Sequence, residues 1–126
     1  YNENNKVKIA EAGGITTILS AMNNHSSNAY VQQYGCLVIQ NLTRNKINRM
    51  VIAEAGGITS ILSAMKNHSN NADLQFYSCA ALRNLAYDNS NKLAIAKAGG
   101  IEAIQAAIQN HTSIVCIQIL FPCWHC

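Results

Sequence analysis

The sequence repeats itself with a period of 43 residues, and this period limits the fold more than any other feature. Segment 9–26 reads IAEAGGITTILSAMNNHS, and segment 52–69 reads IAEAGGITSILSAMKNHS, with 16 of 18 positions identical. A third copy at 95–112 retains 10 of the 18. A repeat of this length is typical of a solenoid, in which each unit packs on its neighbours and a long surface faces partners.

The composition fits a packed helical protein. Of the 126 residues, 49% are hydrophobic, which argues against disorder. The net charge of +3 is too small to indicate nucleic-acid binding, and no run approaches the ~20 apolar residues that cross a bilayer. The chain begins at Tyr1 and ends inside its third unit, so we expect a fragment of a longer array that continues into further repeats.

Three helices are expected in each unit. In the first, a short helix over Asn5–Ala12 precedes Gly13 and Gly14, which suit a C-cap with positive φ and a sharp turn. Ile15–Asn23 carries one apolar stripe, and Ala29–Thr43 is apolar over much of its circumference. The corresponding later helices are Asn48–Ala55, Ile58–Asn67, Ala72–Ala86, Asn91–Ala98 and Ile101–Asn110. Repeats with two helices are the nearest alternative, and strand patterns are absent.

The repeated motif resembles the armadillo repeat. It reads N-K-x-x-I-A-x-A-G-G-I, then an amphipathic helix, then L-Q-x-x-x-C-A-A-L-R-N-L-A, with the best match over Asn48–Ala86. The resemblance extends over Asn5–Asn110 and implies an all-α, right-handed α-solenoid with three helices per repeat. The chain would then be one domain over 1–126, with units at about 5–44, 48–87 and 91–126.

The end of the third unit departs from the motif. Pro122 stands where Cys36 and Cys79 stood in the earlier units, and a proline inside a helix costs about 3 kcal/mol. The last unit is therefore either truncated or frame-shifted after Ser113, or it ends in a genuine but degenerate helix.

The resemblance also implies where a partner binds. In armadillo proteins the third helices line a concave groove, and an asparagine near the end of each hydrogen-bonds the backbone of an extended partner segment. Asn41 and Asn84 match that asparagine, and an amide can pair with any peptide group. Helical spacing adds their neighbours on the same side. The predicted partner-binding residues are Gln33, Tyr34, Leu37, Gln40, Asn41, Arg44, Phe76, Tyr77, Ala80, Arg83, Asn84 and Tyr87.

Structural alternatives exist for several of these residues. Tyr34, Tyr77 and Leu37 could instead be core residues between adjacent units. Asn41 and Asn84 could instead be caps within a helix or between units. Leu37 and Ala80 replace the tryptophan of the nuclear-import branch, so we do not expect the chain to bind nuclear localisation signals.

Chemistry-bearing residues do not form a convincing catalytic or metal site. His25, His68 and His111 recur every 43 residues, but units about 10 Å apart cannot share a zinc ion, which favours a capping or turn role. The terminal set of Cys116, Cys123, His125 and Cys126 fits no common zinc spacing.

The sequence therefore predicts a protein that is not an enzyme and needs no cofactor or metal. We expect an interaction scaffold for a protein or peptide segment, which Arg44 and Arg83 suggest is acidic or neutral. We expect neither nucleic-acid binding nor direct membrane insertion. The alternatives are a structural spacer or self-assembly element, and an adaptor of a larger membrane-associated or signalling protein. Cys36 and Cys79 resemble small buried thiols of a reducing compartment, the cytoplasm or the nucleus.

Overall fold

A computed structural model describes the backbone of residues 3–111 and the side chains of residues 12–111. This part of the chain forms seven α-helices and no strand, which confirms the all-α class. Pro122 and the terminal cysteine–histidine set lie outside it. Within the same range, no helix is long and apolar enough to cross a membrane. The helices are α1 (Glu3–Asn24), α2 (Ala29–Leu42), α3 (Lys46–Glu54), α4 (Gly57–Asn67), α5 (Ala72–Leu85), α6 (Asn89–Lys97) and α7 (Gly100–Asn110).

Asparagine side chains cap the N-terminal ends of α2, α3 and α5. Asn28 and Asn71 precede α2 and α5, and their side chains accept hydrogen bonds from Val31 N (3.1 Å) and Leu74 N (3.0 Å). Asn45 caps α3 in the same manner. Such caps satisfy backbone donors that have no partner inside the helix. Because Asn28 and Asn71 are 43 residues apart, α2 and α5 begin at equivalent positions of the repeat.

The Gly–Gly elbow is present in units two and three, as predicted. Gly56 has φ +85° and Gly99 has φ +88°, and the second glycine of each pair opens the next helix. Only glycine adopts this left-handed conformation at little cost. A Cβ on Gly57 would lie 2.7 Å from the carbonyl oxygen of Ile52, so the second glycine is required by close packing.

The predicted elbow of unit one is wrong. Helix α1 runs without interruption from Glu3 to Asn24, and neither Gly13 nor Gly14 has positive φ. Local sequence cannot explain the difference, because segments 9–26 and 52–69 are almost identical. In unit two, α3 and α4 each pack against α1 and α5. Within the described residues, no earlier unit packs against α1. Helix α1 therefore lacks the contacts on that side that α3 and α4 make with α1.

The core lies between units, with α5 at its centre. Helix α5 packs most extensively against α2 and also contacts α3, α4, α6 and α7. Leu74, Cys79, Leu82 and Leu85 are fully buried in it. The buried apolar side chains form one cluster that extends along the described chain from α1 to α7. Neighbour-to-neighbour packing of this kind is the solenoid arrangement that the 43-residue period predicts.

Two buried glutamines fix the angle between the second and third helices of a unit. Gln32 donates through Nε2 to the carbonyls of Met22 (2.8 Å) and His25 (3.0 Å). Gln75 makes the equivalent bonds to Met65 (3.0 Å) and His68 (3.1 Å). These carbonyls belong to the last turn of the preceding helix and its C-cap, where intrahelical partners run out. Each glutamine is only 3% exposed, so its position is set by packing as well as by bonding.

Candidate partner-binding surface

Helices α2 and α5 lie side by side, parallel and in register. Near their N-terminal ends, Asn71 Nδ2 donates to Gln33 Oε1 (3.1 Å). At the middle, Ser78 Oγ donates to Cys36 Sγ (3.2 Å), and at the C-terminal ends Asn84 Nδ2 donates to Thr43 Oγ1 (3.0 Å). These bonds join residues 38, 42 and 41 positions apart in the sequence, so the two helices run in the same direction and are aligned to within a few residues of the 43-residue repeat.

The predicted partner-binding residues differ in accessibility. The prediction that Ala80 contacts a partner is wrong. Ala80 is only 3% exposed and lies in the core cluster, where a partner cannot reach it. The exposed members are Tyr34, Asn41, Arg44, Phe76 and Tyr87, and the half-buried members are Gln33, Leu37, Gln40, Tyr77, Arg83 and Asn84. Eleven of the twelve therefore retain some accessible surface.

The two candidate clamp asparagines are not equivalent. Asn41 is exposed. Asn84 is half-buried, donates to the Thr43 hydroxyl and accepts from Arg83 Nε at 3.3 Å. The Thr43 hydroxyl itself donates to Gln40 O (2.6 Å). It therefore accepts a hydrogen bond from unit two and donates one within unit one. Asn84 therefore has the inter-unit role that was the structural alternative for it.

Aromatic side chains divide between the surface and the core. Tyr34 is 57% exposed and stacks on Tyr30, with ring centroids 6.5 Å apart. Phe76 contacts Tyr77 edge to face at 6.3 Å. Tyr77 packs against the core cluster, whereas Tyr34 does not. Tyr30 was missed by the sequence reasoning, although its spacing of four residues from Tyr34 places both on one side of α2.

A second group that sequence reasoning missed surrounds Arg49 of α3. Its Nε lies 2.9 Å from Asp88 Oδ2, and its Nη1 donates to the carbonyls of Thr43 (3.2 Å) and Arg44 (3.4 Å). The guanidinium carbon lies 5.8 Å from the ring centroid of Tyr87. The sequence offered no signal for this group, since its members come from three different places in the chain.

The recurring histidines join neighbouring loops. His68 and His111 are the C-cap residues of α4 and α7, which confirms the capping interpretation. Each ring also lies 2.8 Å, through Nε2, from a carbonyl one unit earlier, that of Ser26 or Ser69. A carbonyl only accepts, so Nε2 carries the proton in this contact. Within residues 12–111 no three potential ligands come together to hold a metal ion.

The two periodic cysteines are fully buried and poorly nucleophilic. Burial raises the pKa of Cys36 to about 11, although the Ser78 hydrogen bond lowers it in part. Burial raises the pKa of Cys79 to about 12. Because the thiolate is the reactive form, neither thiol is suited to nucleophilic catalysis near neutral pH.

The fold defines the class of the protein: an all-α chain of repeated units that pack on their neighbours. Residues 45–87 match the sequence model of the armadillo/beta-catenin-like repeat. Armadillo-type repeats generally mediate protein–protein interaction and are generally non-catalytic. The match covers unit two, the unit that packs against neighbours on both sides.

One similar protein is Protein aardvark of Dictyostelium discoideum. It is 43% identical to this chain over 47 residues, a stretch that covers 37% of this chain and 6% of that protein. The similarity therefore spans a small part of the relative's length, about one repeat unit. No solved structure matches the chain significantly.

Proposed function

We propose that this chain is a non-catalytic scaffold that binds an extended segment of a partner protein along its third helices. One observation carries the proposal: α2 and α5 are parallel and in register, so two copies of an aromatic, amide and arginine set lie side by side. Aromatic and arginine side chains commonly dominate the energy of protein interfaces. The repeated units favour a partner chain that is itself extended.

Backbone recognition would be unequal along this surface. Asn41 has its whole amide available, with two N–H donors and one acceptor. One N–H of the Asn84 amide donates to Thr43 Oγ1, so one N–H remains for a partner. We therefore assign most of the backbone pairing to Asn41. Tyr34, Phe76 and Tyr87, which are exposed at other points of the surface, would supply apolar contacts.

The test is selection of linear peptides from a displayed library against the immobilised chain, followed by fluorescence anisotropy with the selected peptides. Asn41→Ala should weaken binding about ten-fold without a change in unfolding, since the side chain is exposed. Lys66→Ala on α4 is the matched control, an exposed truncation on another helix, and should leave binding unchanged. Peptides that bind Asn41→Ala and Tyr34→Ala as tightly as the parent would refute the proposal.

Charge gives a weaker guide to the partner. Arg44 is exposed and Arg83 half-exposed on this surface, and Lys46 lies close by in the chain. We propose an acidic or neutral partner segment in a reducing intracellular compartment, the cytoplasm or the nucleus. The reducing compartment is suggested by the buried thiols Cys36 and Cys79.

Self-association is the second candidate function, and the outer flank of α2 favours it. Val38 is 39% exposed, whereas its equivalent Ala81 is fully buried. Tyr34 is likewise more exposed than its equivalent Tyr77. This flank of α2 matches the flank of α5 that α2 covers, and a second copy of the chain could cover it. Concentration-dependent sedimentation that Val38→Lys abolishes would support self-association, and a monomer at all concentrations would exclude it.

A further inference from the structure

We propose that Arg49 is a positioning residue of the partner-binding surface, which holds the Tyr87 ring in place before a partner arrives. The inference rests on the proposed function and adds a residue that lies outside the third helices. The Arg49 guanidinium contacts groups from three successive units.

Arg49 is fixed on several sides. Its Nη1 reaches the carbonyls of Thr43 and Arg44, which directly follow α2 in unit one. Its Nε pairs with Asp88, which precedes α6 of unit three, and the Arg49 side chain is only 13% exposed. A planar guanidinium with donors on several edges suits such a divergent set of acceptors, whereas an ammonium group does not.

Asp88 holds Arg49 instead of capping its own helix. It occupies the N-cap position of α6 in extended conformation, yet its side chain makes no capping hydrogen bond. The equivalent Asn45 does cap its helix, with bonds to Ile47 N (2.8 Å) and Asn48 N (3.2 Å). The carboxylate of Asp88 lies 2.9 Å from Arg49 Nε instead. Unit two and unit three therefore use the same position for different purposes.

Tyr87 is the side chain that Arg49 orders. It is 79% exposed, more than any other large apolar side chain among residues 12–111. Its ring centroid lies 5.8 Å from the guanidinium carbon, within the range of a cation–π contact. An exposed ring held in this way needs less ordering when a partner binds, which improves affinity without a new contact.

The positioning can be tested without a partner. The full 126-residue chain is labelled with 3-fluorotyrosine, the Tyr87 signal is assigned with Tyr87→Phe, and ¹⁹F transverse relaxation is measured. Arg49→Gln should at least halve the relaxation rate of Tyr87 and leave that of Tyr34 unchanged. Lys66→Gln on α4 is the matched control, an exposed cation with the same change of charge, and should have no effect.

Asp88→Asn is a second variant, which tests the same contact without the risk that Arg49→Gln unfolds the chain. Asparagine at this position can cap α6 as Asn45 caps α3, so the variant should fold while it loses the charge that holds Arg49. We expect the Tyr87 relaxation rate to fall in this variant too, by a smaller factor than in Arg49→Gln. An unchanged Tyr87 signal in both variants, or an equal change in Lys66→Gln, would overturn the proposal.

The contribution to binding is tested with peptides selected on the chain. Arg49→Gln should weaken binding about five-fold, and it should weaken binding no further in a Tyr87→Ala background, because it acts through that ring. Additive losses would mean that Arg49 contacts the partner directly, and would refute a positioning role. If the chain selects no peptide while Arg49→Gln still frees Tyr87, the proposed function fails and the positioning of Tyr87 stands.

Discussion

At the scale of single residues, the same side chain serves different ends in successive units. Asn84 donates to Thr43 in the preceding unit, whereas Asn41 is exposed. Asn45 caps a helix, whereas Asp88 pairs with arginine. Sequence comparison located Asn41 and Asn84 but could not tell their roles apart, and it did not single out Asn45 or Asp88. Those roles depend on side chains that reach across units, and one sequence lists no such contacts.

Gln75 offers a direct test of the buried amide contacts. Gln75→Ala removes two hydrogen bonds to Met65 and His68 and leaves their carbonyls without that donor in a buried setting. We expect the free energy of unfolding to fall by about 1–3 kcal/mol. Urea denaturation followed by circular dichroism measures it. Gln105→Ala on the exposed side of α7 is the control and should change stability by less than about 0.5 kcal/mol.

The buried thiols make stability depend on alkaline pH. The pKa of Cys36 is raised from 9.0 to about 11 and that of Cys79 to about 12 by burial, so the folded state keeps protons that the unfolded state loses. Below pH 9 the thiols contribute no pH dependence. As the pH rises from 9 to 10, each thiol should lower the free energy of unfolding by about 1 kcal/mol.

Chemical denaturation between pH 8 and pH 10 measures this slope. Other groups also titrate in that range, so the relevant quantity is the difference between the parent chain and a Cys36→Ala, Cys79→Ala variant. The variant should be less stable near neutral pH because of its cavities, but its slope should be shallower. Parallel slopes would show that the thiols ionise as easily in the folded chain as in the unfolded one.

At the scale of helices, the Gly–Gly pair shows that local sequence and local structure can separate. The pair ends one helix and begins another at Gly56 and at Gly99, yet the same pair lies inside a continuous helix at Gly13 and Gly14. Helix positions and types followed from apolar spacing and from the repeat, with boundaries correct to within two residues for α2 to α7. The prediction failed at the elbow of unit one, where α1 is continuous.

Alanine substitution at two equivalent glycines should therefore have opposite effects. Gly13→Ala adds a methyl group inside a helix, where no side chain of residues 12–111 lies within 4 Å of the new carbon, and should stabilise the chain by about 0.5–1 kcal/mol. Gly56→Ala forces a side chain into positive φ and should destabilise it by about 1–2 kcal/mol. Thermal unfolding by calorimetry compares the two. A destabilising Gly13→Ala would indicate that unit one bends in solution as the sequence suggests.

At the scale of the whole molecule, packing runs from one unit to the next and is most extensive around α5. Helix α5 packs against α2, α3, α4, α6 and α7. Within residues 12–111, unit two is the unit with neighbours packed on both sides, so we expect its helices to be the hardest to open locally.

Hydrogen exchange followed by mass spectrometry should show this gradient. Amides of α5 should exchange most slowly, and those of α6 should exchange faster, because α6 packs against fewer helices than α5 does. Leu82→Ala should accelerate exchange in α2 as well as α5, since Leu82 is fully buried in the central helix. An acceleration confined to α5 would show that the units open independently of one another.

The sequence by itself determined the all-helical fold, the 43-residue unit and most helix boundaries. These features depend on periodic apolar spacing and on caps, which are local. The tertiary structure alone decided that α1 is unbroken, that Ala80 is buried, that Asn84 bonds to Thr43 and that Arg49 joins three units. Each of these depends on contacts between segments distant in the chain, where packing outweighs local preference.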